Sequence, residues 1–157
     1  MSTPSTMNII ECAEQHLLSA AELFNDYRIF YEQESDLPAC YAFIRDNVEK
    51  KRSRLLLLLD PAGKAVGFSQ LYPSYCSISM KPYYYLSDLY VDRSCRQKGY
   101  ARFLMQAVTE QFAAEGAQRL TLDTATSNKI AQHLYESLGY EQEQVYITYH
   151  QMLKPAG

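Results

Sequence analysis

The most constraining feature of this chain is a strand pattern that runs into a short basic loop and then into a helix. The strand pattern ends over residues 86–92, the loop reads Arg96-Gln97-Lys98-Gly99, and an amphipathic helix is predicted over residues 99–115. Because the first N–H groups of a helix have no partner within it, this arrangement presents several donors and a positive dipole end at one place. The segment therefore predicts a site for an anion such as a pyrophosphate.

Hydrophobic periodicity divides the rest of the chain into helices and strands. Strands are predicted at residues 7–11, 55–59, 65–72, 83–91, 119–124 and 145–153. Helices are predicted at 14–31, from the N-cap Asp36 to 49, and at 99–115 and 128–138. This order predicts one α/β domain over residues 7–154 with a mixed sheet, preceded by a flexible tail at 1–6.

Composition and charge argue against several classes of function. A net charge of −3 does not suit nucleic-acid binding, which needs a broad basic surface. The longest apolar run, residues 55–59, has the length of a strand and not of a membrane span, so no membrane partner is expected. The four cysteines are scattered, and no histidine lies at metal-ligand spacing from them. The sequence therefore predicts reduced thiols, a cytoplasmic protein and no bound metal.

The basic loop gains meaning from a second motif further along the chain. Alone it is neither a P-loop nor a dinucleotide fingerprint, since Gly-Lys-Ser/Thr and three spaced glycines are absent. Arg96 to Ala101 matches the pattern Arg/Gln-x-x-Gly-x-Gly/Ala, with Ala101 in place of the commoner last glycine. Asn128, followed by Leu-Tyr-Glu-Ser-Leu-Gly-Tyr at 134–140, matches the second motif. Through both, the chain resembles the GNAT superfamily of N-acetyltransferases, most strongly over residues 84–140.

The resemblance implies an acetyl-CoA-dependent acyltransferase with the GNAT fold. That fold is a mixed, mostly antiparallel twisted sheet flanked by helices, with a splay between its two central parallel strands. In it the backbone of Leu89, Tyr90 and Val91 would pair with the pantetheine arm like an added strand, and Asn128 would hydrogen-bond near the pantetheine. The resemblance places the pyrophosphate at the loop and the following helical turn, over Arg96, Gln97, Lys98, Gly99, Tyr100, Ala101 and Arg102.

Two residues are predicted to be catalytic. The resemblance makes Tyr135 the tyrosine beside the thioester sulfur, where a phenol can protonate the departing thiolate; a core aromatic on a helix stripe is the other interpretation. Polyamine-acetylating relatives often carry Glu at the position of Ser87, so Asp88 and Asp123 are the nearest carboxylates. Because side chains alternate along a strand, only one of Ser87 and Asp88 is expected to face the cleft. Asp88 is predicted to bind a cationic amine, relay a proton or satisfy a backbone donor.

The acceptor is the least defined part of the function. Tyrosines at 72, 75 and 83–85 and the acidic stretch 32–36 favour a cationic acceptor, but strand packing and a solvated loop explain them as well. Segments 70–74 and 87–91 resemble the small diamine, thialysine and histone/D-amino-acid acetyltransferase group. This implies direct attack by the primary amine of a small molecule, such as a polyamine or amino acid, in a ternary complex, and admits a homodimer. The alternatives are a non-catalytic acyl-CoA-binding sensor, favoured by Ser87, and an acetyltransferase acting on a protein amine.

Overall fold

The computed structural model describes residues 7–96 and 98–156, in which five strands and four helices occur. The strands are Asn8–Glu11 (β1), Arg54–Leu59 (β2), Ala65–Cys76 (β3), Lys81–Val91 (β4) and Leu120–Thr121 (β5). The helices are Leu17–Phe30 (α1), Leu37–Glu49 (α2), Tyr100–Ala114 (α3) and Lys129–Ser137 (α4). Single 3-10 turns lie at Glu14–His16 and Arg93–Cys95.

The sheet has the strand order β1-β2-β3-β4-β5. Neighbouring strands are antiparallel except β4 and β5, which are parallel. Tyr84 pairs with Leu120 and Tyr85 with Thr121, where β5 ends, but β4 continues to Val91. The two parallel strands therefore separate after their second pair. This mixed, mostly antiparallel sheet flanked by helices confirms the predicted fold class.

Apolar residues of the central strands form the core. The leucines at 55–58 are buried, as expected for a strand covered on both faces. Leu57 and Phe68 cluster with residues of α1 and with Ile44 of α2. Helix α3 packs against β3 and β4 and buries Leu104, Met105, Val108 and Phe112. Helix α2 begins where the sequence predicts, since Asp36 caps it by accepting a 3.1 Å hydrogen bond from the Ala39 amide. The helix predicted from residue 14 begins at Leu17, after the 3-10 turn at Glu14–His16.

Three predicted strands differ from the structure by more than two residues. The strand predicted at 65–72 continues to Cys76, because residues 73–76 pair with residues 81–84. The strand predicted at 119–124 is reduced to Leu120–Thr121. The segment 145–153 is not a strand, and its large apolar side chains are exposed. Alternation marks a segment that is able to form a strand, but the strand exists only where a neighbour completes the hydrogen-bonded ladder.

The chain divides into two compact units, the first ending at Asp123 and the second beginning at Thr124. The first unit contains the sheet and helices α1 to α3, and the second contains α4. The single domain predicted over residues 7–154 stays a prediction. The predicted tail at 1–6 and the loop residue Gln97 lie outside the described residues.

Candidate active site

A β-bulge interrupts β4 at Ser87. Gln70 of β3 pairs with Asp88 and Leu71 pairs with Leu86, so that Ser87 is an extra residue without a partner on β3. Its hydroxyl Oγ donates a 3.3 Å hydrogen bond to Asp88 Oδ1. The expectation that Ser87 and Asp88 face opposite sides is therefore wrong, because strict alternation fails where two residues oppose one.

Beyond the bulge, β4 has a backbone edge that β5 does not reach. Leu89, Tyr90 and Val91 pair with Ser69, Phe68 and Gly67 on the β3 side. On the other side, the pairs with β5 end at Tyr85 in the part of the chain that the structure describes. The N–H and C=O groups of this edge are able to hydrogen-bond an extended ligand in the manner of an added strand.

The loop after β4 ends in a left-handed glycine at the start of α3. Gly99 has φ +77° and ψ 11°, a conformation that favours glycine. Gly99 itself has no side chain to cap this helix, and the first intrahelical bond, from the Phe103 amide to the Gly99 carbonyl, is 3.0 Å. The N–H groups of Tyr100, Ala101 and Arg102 thus precede the helical ladder, and the anion site expected here stays a prediction.

Arg96 connects this loop to β4 and to α1. Its Nε donates a 2.9 Å hydrogen bond to the Val91 carbonyl oxygen. The guanidinium carbon lies 4.8 Å from the centre of the Phe30 ring and 5.3 Å from that of Tyr90. Lys98 and Arg102, by contrast, are exposed. Arg96 therefore holds the loop in place, and its predicted contact with a pyrophosphate stays a prediction.

Asp88 is a buried carboxylate that several donors surround. Its Oδ2 accepts a 2.8 Å hydrogen bond from Gln70 Nε2, and the Tyr27 hydroxyl of α1 lies beside it. Burial raises the pKa of Asp88, and hydrogen bonding from Gln70, Tyr27 and Ser87 opposes this rise without cancelling it. Burial, followed by the negative charge of Asp88, also raises the pKa of Tyr27, so that this phenol keeps its proton. A buried carboxylate with a raised pKa is suited to accept a proton.

Most of the tyrosines considered for an acceptor pocket have structural contacts. Tyr84 packs on Phe112 with ring centres 4.4 Å apart, and the Arg119 guanidinium lies 3.8 Å from the centre of the Tyr83 ring. The Tyr85 hydroxyl donates a 2.7 Å hydrogen bond to Asp123, which gives that carboxylate a partner.

Sequence reasoning missed the residues that contact Asp88 from outside β4. Tyr27 lies in the helix predicted at 14–31, where its spacing from the other apolar residues indicates a core position. Gln70 lies in the predicted strand 65–72, where a polar residue among buried neighbours was the available signal. Both side chains reach the Asp88 carboxylate only after the sheet and α1 come together.

The second unit contains the other two predicted site residues. Asn128 is the N-cap of α4, and its Oδ1 accepts a 3.1 Å hydrogen bond from the Ala131 amide. The ring of Tyr135, on α4, lies 5.9 Å from that of Tyr140. The cap confirms the predicted start of this helix. The roles of Asn128 beside the pantetheine and of Tyr135 beside the sulfur stay predictions.

A groove of about 490 Å³ lies elsewhere on the first unit, between α1, the start of α2 and the turn after β2. Its lining includes Asp26, Lys64 and Asp92 but not Asp88 or residues 89–91, so this groove is separate from the candidate site. Within residues 7–96 and 98–156, no three His, Cys, Asp or Glu side chains come together as metal ligands. No helix of this described part is both long and apolar enough to cross a membrane.

Known proteins are similar to this chain in sequence and in fold. The family described as "Acetyltransferase (GNAT) family" matches residues 17–140. The uncharacterized N-acetyltransferase YhfO of Bacillus subtilis is 39% identical over 91% of this chain and 95% of its own length. The aminoglycoside N(6')-acetyltransferase type 1 of Salmonella typhimurium is 32% identical over 55% of this chain and 62% of that protein. The crystal structure of a probable acetyltransferase superposes with a TM-score of 0.89 at 31% identity, covering 95% of this chain and 99% of the other.

Fold, motifs and relatives together define an acyltransferase. The chain belongs to the acetyltransferase (GNAT) family.

Proposed function

We propose that this chain transfers acetyl from acetyl-CoA to the primary amine of a small cationic molecule, by direct attack in a ternary complex. The observation that carries the proposal is the buried Asp88 carboxylate, which directly precedes the β4 edge that β5 does not reach. A proton acceptor and a backbone edge for the donor thus lie next to each other on one strand. That is the arrangement needed when an amine must lose a proton beside a thioester.

The donor half of the proposal uses the edge of β4 and the start of α3. The backbone of Leu89, Tyr90 and Val91 would hydrogen-bond the pantetheine arm as an added strand does. The first amides of α3 would bind the pyrophosphate, with the exposed cations Lys98 and Arg102 near them. Arg96 holds the loop, and Asn128 is proposed to hydrogen-bond the pantetheine through its amide nitrogen, since its oxygen caps α4.

The chemistry divides among three groups of the protein. Bound acetyl-CoA supplies the acetyl thioester, and Asp88 accepts the proton that an ammonium must lose before attack. Because burial raises the pKa of Asp88, it is a stronger base than an exposed aspartate. A backbone N–H at Leu89 or Tyr90 would donate to the carbonyl oxygen as negative charge develops there. Tyr135 is proposed to protonate the departing thiolate, a transfer that is uphill by about 2 kcal/mol between ordinary phenol and thiol pKa values.

Aromatic rings beside the carboxylate favour a cationic acceptor. The ring of Tyr27 lies 5.6 Å from Phe68 and 6.0 Å from Tyr90, centre to centre, and its hydroxyl is beside Asp88. Ring faces near a negative charge attract ammonium groups. The Salmonella relative is named for aminoglycosides, which are small and carry several amino groups. We therefore propose a polyamine, an amino acid or an amino sugar; the diamine and thialysine resemblance implies a small amine or an amino acid.

Thiol release from acetyl-CoA over a panel of amines tests the proposal. The panel contains polyamines, amino acids, aminoglycosides and peptides with a free N-terminus. We expect turnover with one class of small amine, and a loss of about 100-fold or more in kcat/KM for Asp88→Asn. The matched control is Arg45→Met, which removes an exposed charge from α2. Turnover of peptides alone would make the acceptor a protein amine, and CoA binding without thiol release on any amine would favour a non-catalytic acyl-CoA-binding module.

Two further properties are proposed from the sequence alone. The scattered cysteines support a cytoplasmic location, and the resemblance to the diamine group supports a homodimer. Sedimentation of the purified chain at several concentrations would test the dimer.

A further inference from the structure

A row of buried polar side chains leads away from Asp88 through the sheet to the end of α2. Asp88 is 9% exposed, Gln70 0% and Asn47 2%. Gln70 Nε2 donates to Asp88 Oδ2 at 2.8 Å, and Asn47 Nδ2 donates to Gln70 Oε1 at 2.8 Å. Arg52 Nε, from the exposed segment after α2, donates to Asn47 Oδ1 at 3.1 Å. We call these four side chains the amide row.

The two ends of the amide row determine the direction of every bond between them. A guanidinium is able only to donate, so Asn47 must present its oxygen to Arg52 and its nitrogen to Gln70. An ionised carboxylate is able only to accept, so Gln70 must present its nitrogen to Asp88 and its oxygen to Asn47. The Ser53 hydroxyl adds a 2.7 Å bond to the same Gln70 oxygen. All donors therefore point from the cation towards the carboxylate.

We propose that Gln70 and Asn47 are positioning residues that hold Asp88 ionised and fixed in direction, by linking it to the charge of Arg52. The inference rests on the proposed role of Asp88 as proton acceptor. Hydrogen bonds aligned in one direction polarise one another, so that each amide strengthens the next. A proton on Asp88 Oδ2 would face the N–H of Gln70, so that two donors would oppose each other. Rotating the Gln70 amide to present its oxygen to that proton would place the Gln70 nitrogen against the Asn47 nitrogen. The row thus favours the carboxylate, whereas burial favours the neutral acid.

The other groups that face Asp88 do not replace this link. Tyr27 from α1, Tyr72 on β3 and Tyr85 on β4 interact with the Asp88 charge. Burial is the largest cause that raises the pKa of each phenol, so all three are neutral where a carboxyl group titrates. Ser87 is neutral as well. Within the described residues, Arg52 is the cation that hydrogen bonds connect to Asp88.

Titration of the Asp88 carboxyl group by carbon NMR tests the amide row without relying on activity. The protein is labelled at its aspartate carboxyl carbons, and the Asp88 signal is assigned by its loss in Asp88→Asn. Gln70→Met, Asn47→Leu and Arg52→Met break the row at successive bonds, and Arg45→Met is the control for loss of a charge from α2. We expect the Asp88 titration to move to higher pH in all three, most in Gln70→Met, and to stay in place in Arg45→Met.

The exposed position of Arg52 keeps the test decisive even where a buried substitution prevents folding. An Asp88 titration in Arg52→Met no different from that in Arg45→Met would overturn the proposal. In thiol-release assays we expect Gln70→Met to lose about tenfold in kcat/KM on the acidic side of the pH profile, as for a lost hydrogen bond to a charged group. If the NMR titration moves and the kinetic profile does not, the row stands and the role of Asp88 as base is wrong.

Discussion

Replacing Gly99 with alanine tests whether the left-handed turn before α3 holds the donor loop in its binding shape. Gly99 has φ +77°, and a Cβ added there would meet no atom of the described residues beyond its chain neighbours within 4 Å. The cost is therefore conformational and not steric. It amounts to about 1–2 kcal/mol for an L-residue in the left-handed region, which corresponds to roughly 5- to 30-fold in an equilibrium constant.

That cost should appear in the affinity for CoA and not in stability. The N-cap residue Gly99 makes no side-chain hydrogen bond to α3, so an alanine at position 99 is able to leave the left-handed region by unwinding the first turn alone. The strain returns when CoA requires the amides of Tyr100, Ala101 and Arg102 in place. We expect Gly99→Ala to weaken CoA binding by roughly 5- to 30-fold in calorimetry, with little change in Tm.

Gly116 at the other end of α3 provides the matched control. It has φ +91° and no atom within 4 Å of an added Cβ, so the strain of an alanine is similar. Here, however, the Gly116 and Ala117 amides close the helix on the Ala113 and Phe112 carbonyls, both at 3.0 Å. We expect Gly116→Ala to lower Tm by about 2–4 °C for each kcal/mol and to leave CoA affinity unchanged. Equal losses of CoA affinity in both variants, or none in Gly99→Ala, would refute this reasoning.

Three further substitutions test catalysis and stability. Tyr135→Phe should lower kcat by about 100-fold or more while calorimetry finds CoA affinity nearly unchanged, and equal turnover would contradict the general-acid role. In wild type, kcat/KM should fall as pH drops through the raised pKa of Asp88, and Asp88→Asn should abolish this fall. The Tm of Asp88→Asn should be no lower than that of wild type, because an ionised carboxylate with a raised pKa costs stability at neutral pH. Arg54→Met should lower stability by about 1 kcal/mol by breaking ion pairs with Glu11 and Glu115. Arg54 holds the pKa of Glu115 below its ordinary 4.5. The difference in Tm between wild type and Arg54→Met should therefore be full above pH 4.5 and should shrink as pH falls through the lowered pKa of Glu115. A difference in Tm that does not depend on pH would contradict this reasoning.

Local signals predicted the elements of the sheet and helices well where packing follows periodicity. The leucine run at 55–58 is a buried central strand, and Asp36, Gly99 and Asn128 are the N-caps of their helices. Segment 145–153 shows the limit of that reasoning. Its alternation is as good as that of a real strand, but a strand depends on a partner whose position no local pattern contains.

The candidate site was predictable to the extent that a motif marks it. The basic loop and Asp88 follow from the pattern around the end of β4, whereas Gln70 and Asn47 do not. The two amides are buried in different elements, Gln70 in a strand and Asn47 in a helix, and they lie 23 residues apart in sequence. A single polar residue at an inward position indicates a buried hydrogen bond, but its partner is known only when the two elements have packed.

The bulge at Ser87 explains how one strand serves both the core and the site. Tyr84 and Tyr90 are six residues apart, so strict alternation would place them on the same face of the sheet. Yet Tyr84 packs on Phe112 of α3, and Tyr90 packs on Tyr27 of α1. The extra residue exchanges the two faces, since a shift of one residue reverses every side chain beyond it. Without it, Asp88 would share the face of Tyr84, away from Tyr27. The extra residue at Ser87 thus turns the next carboxylate, Asp88, towards α1, where the Tyr27 hydroxyl lies beside it.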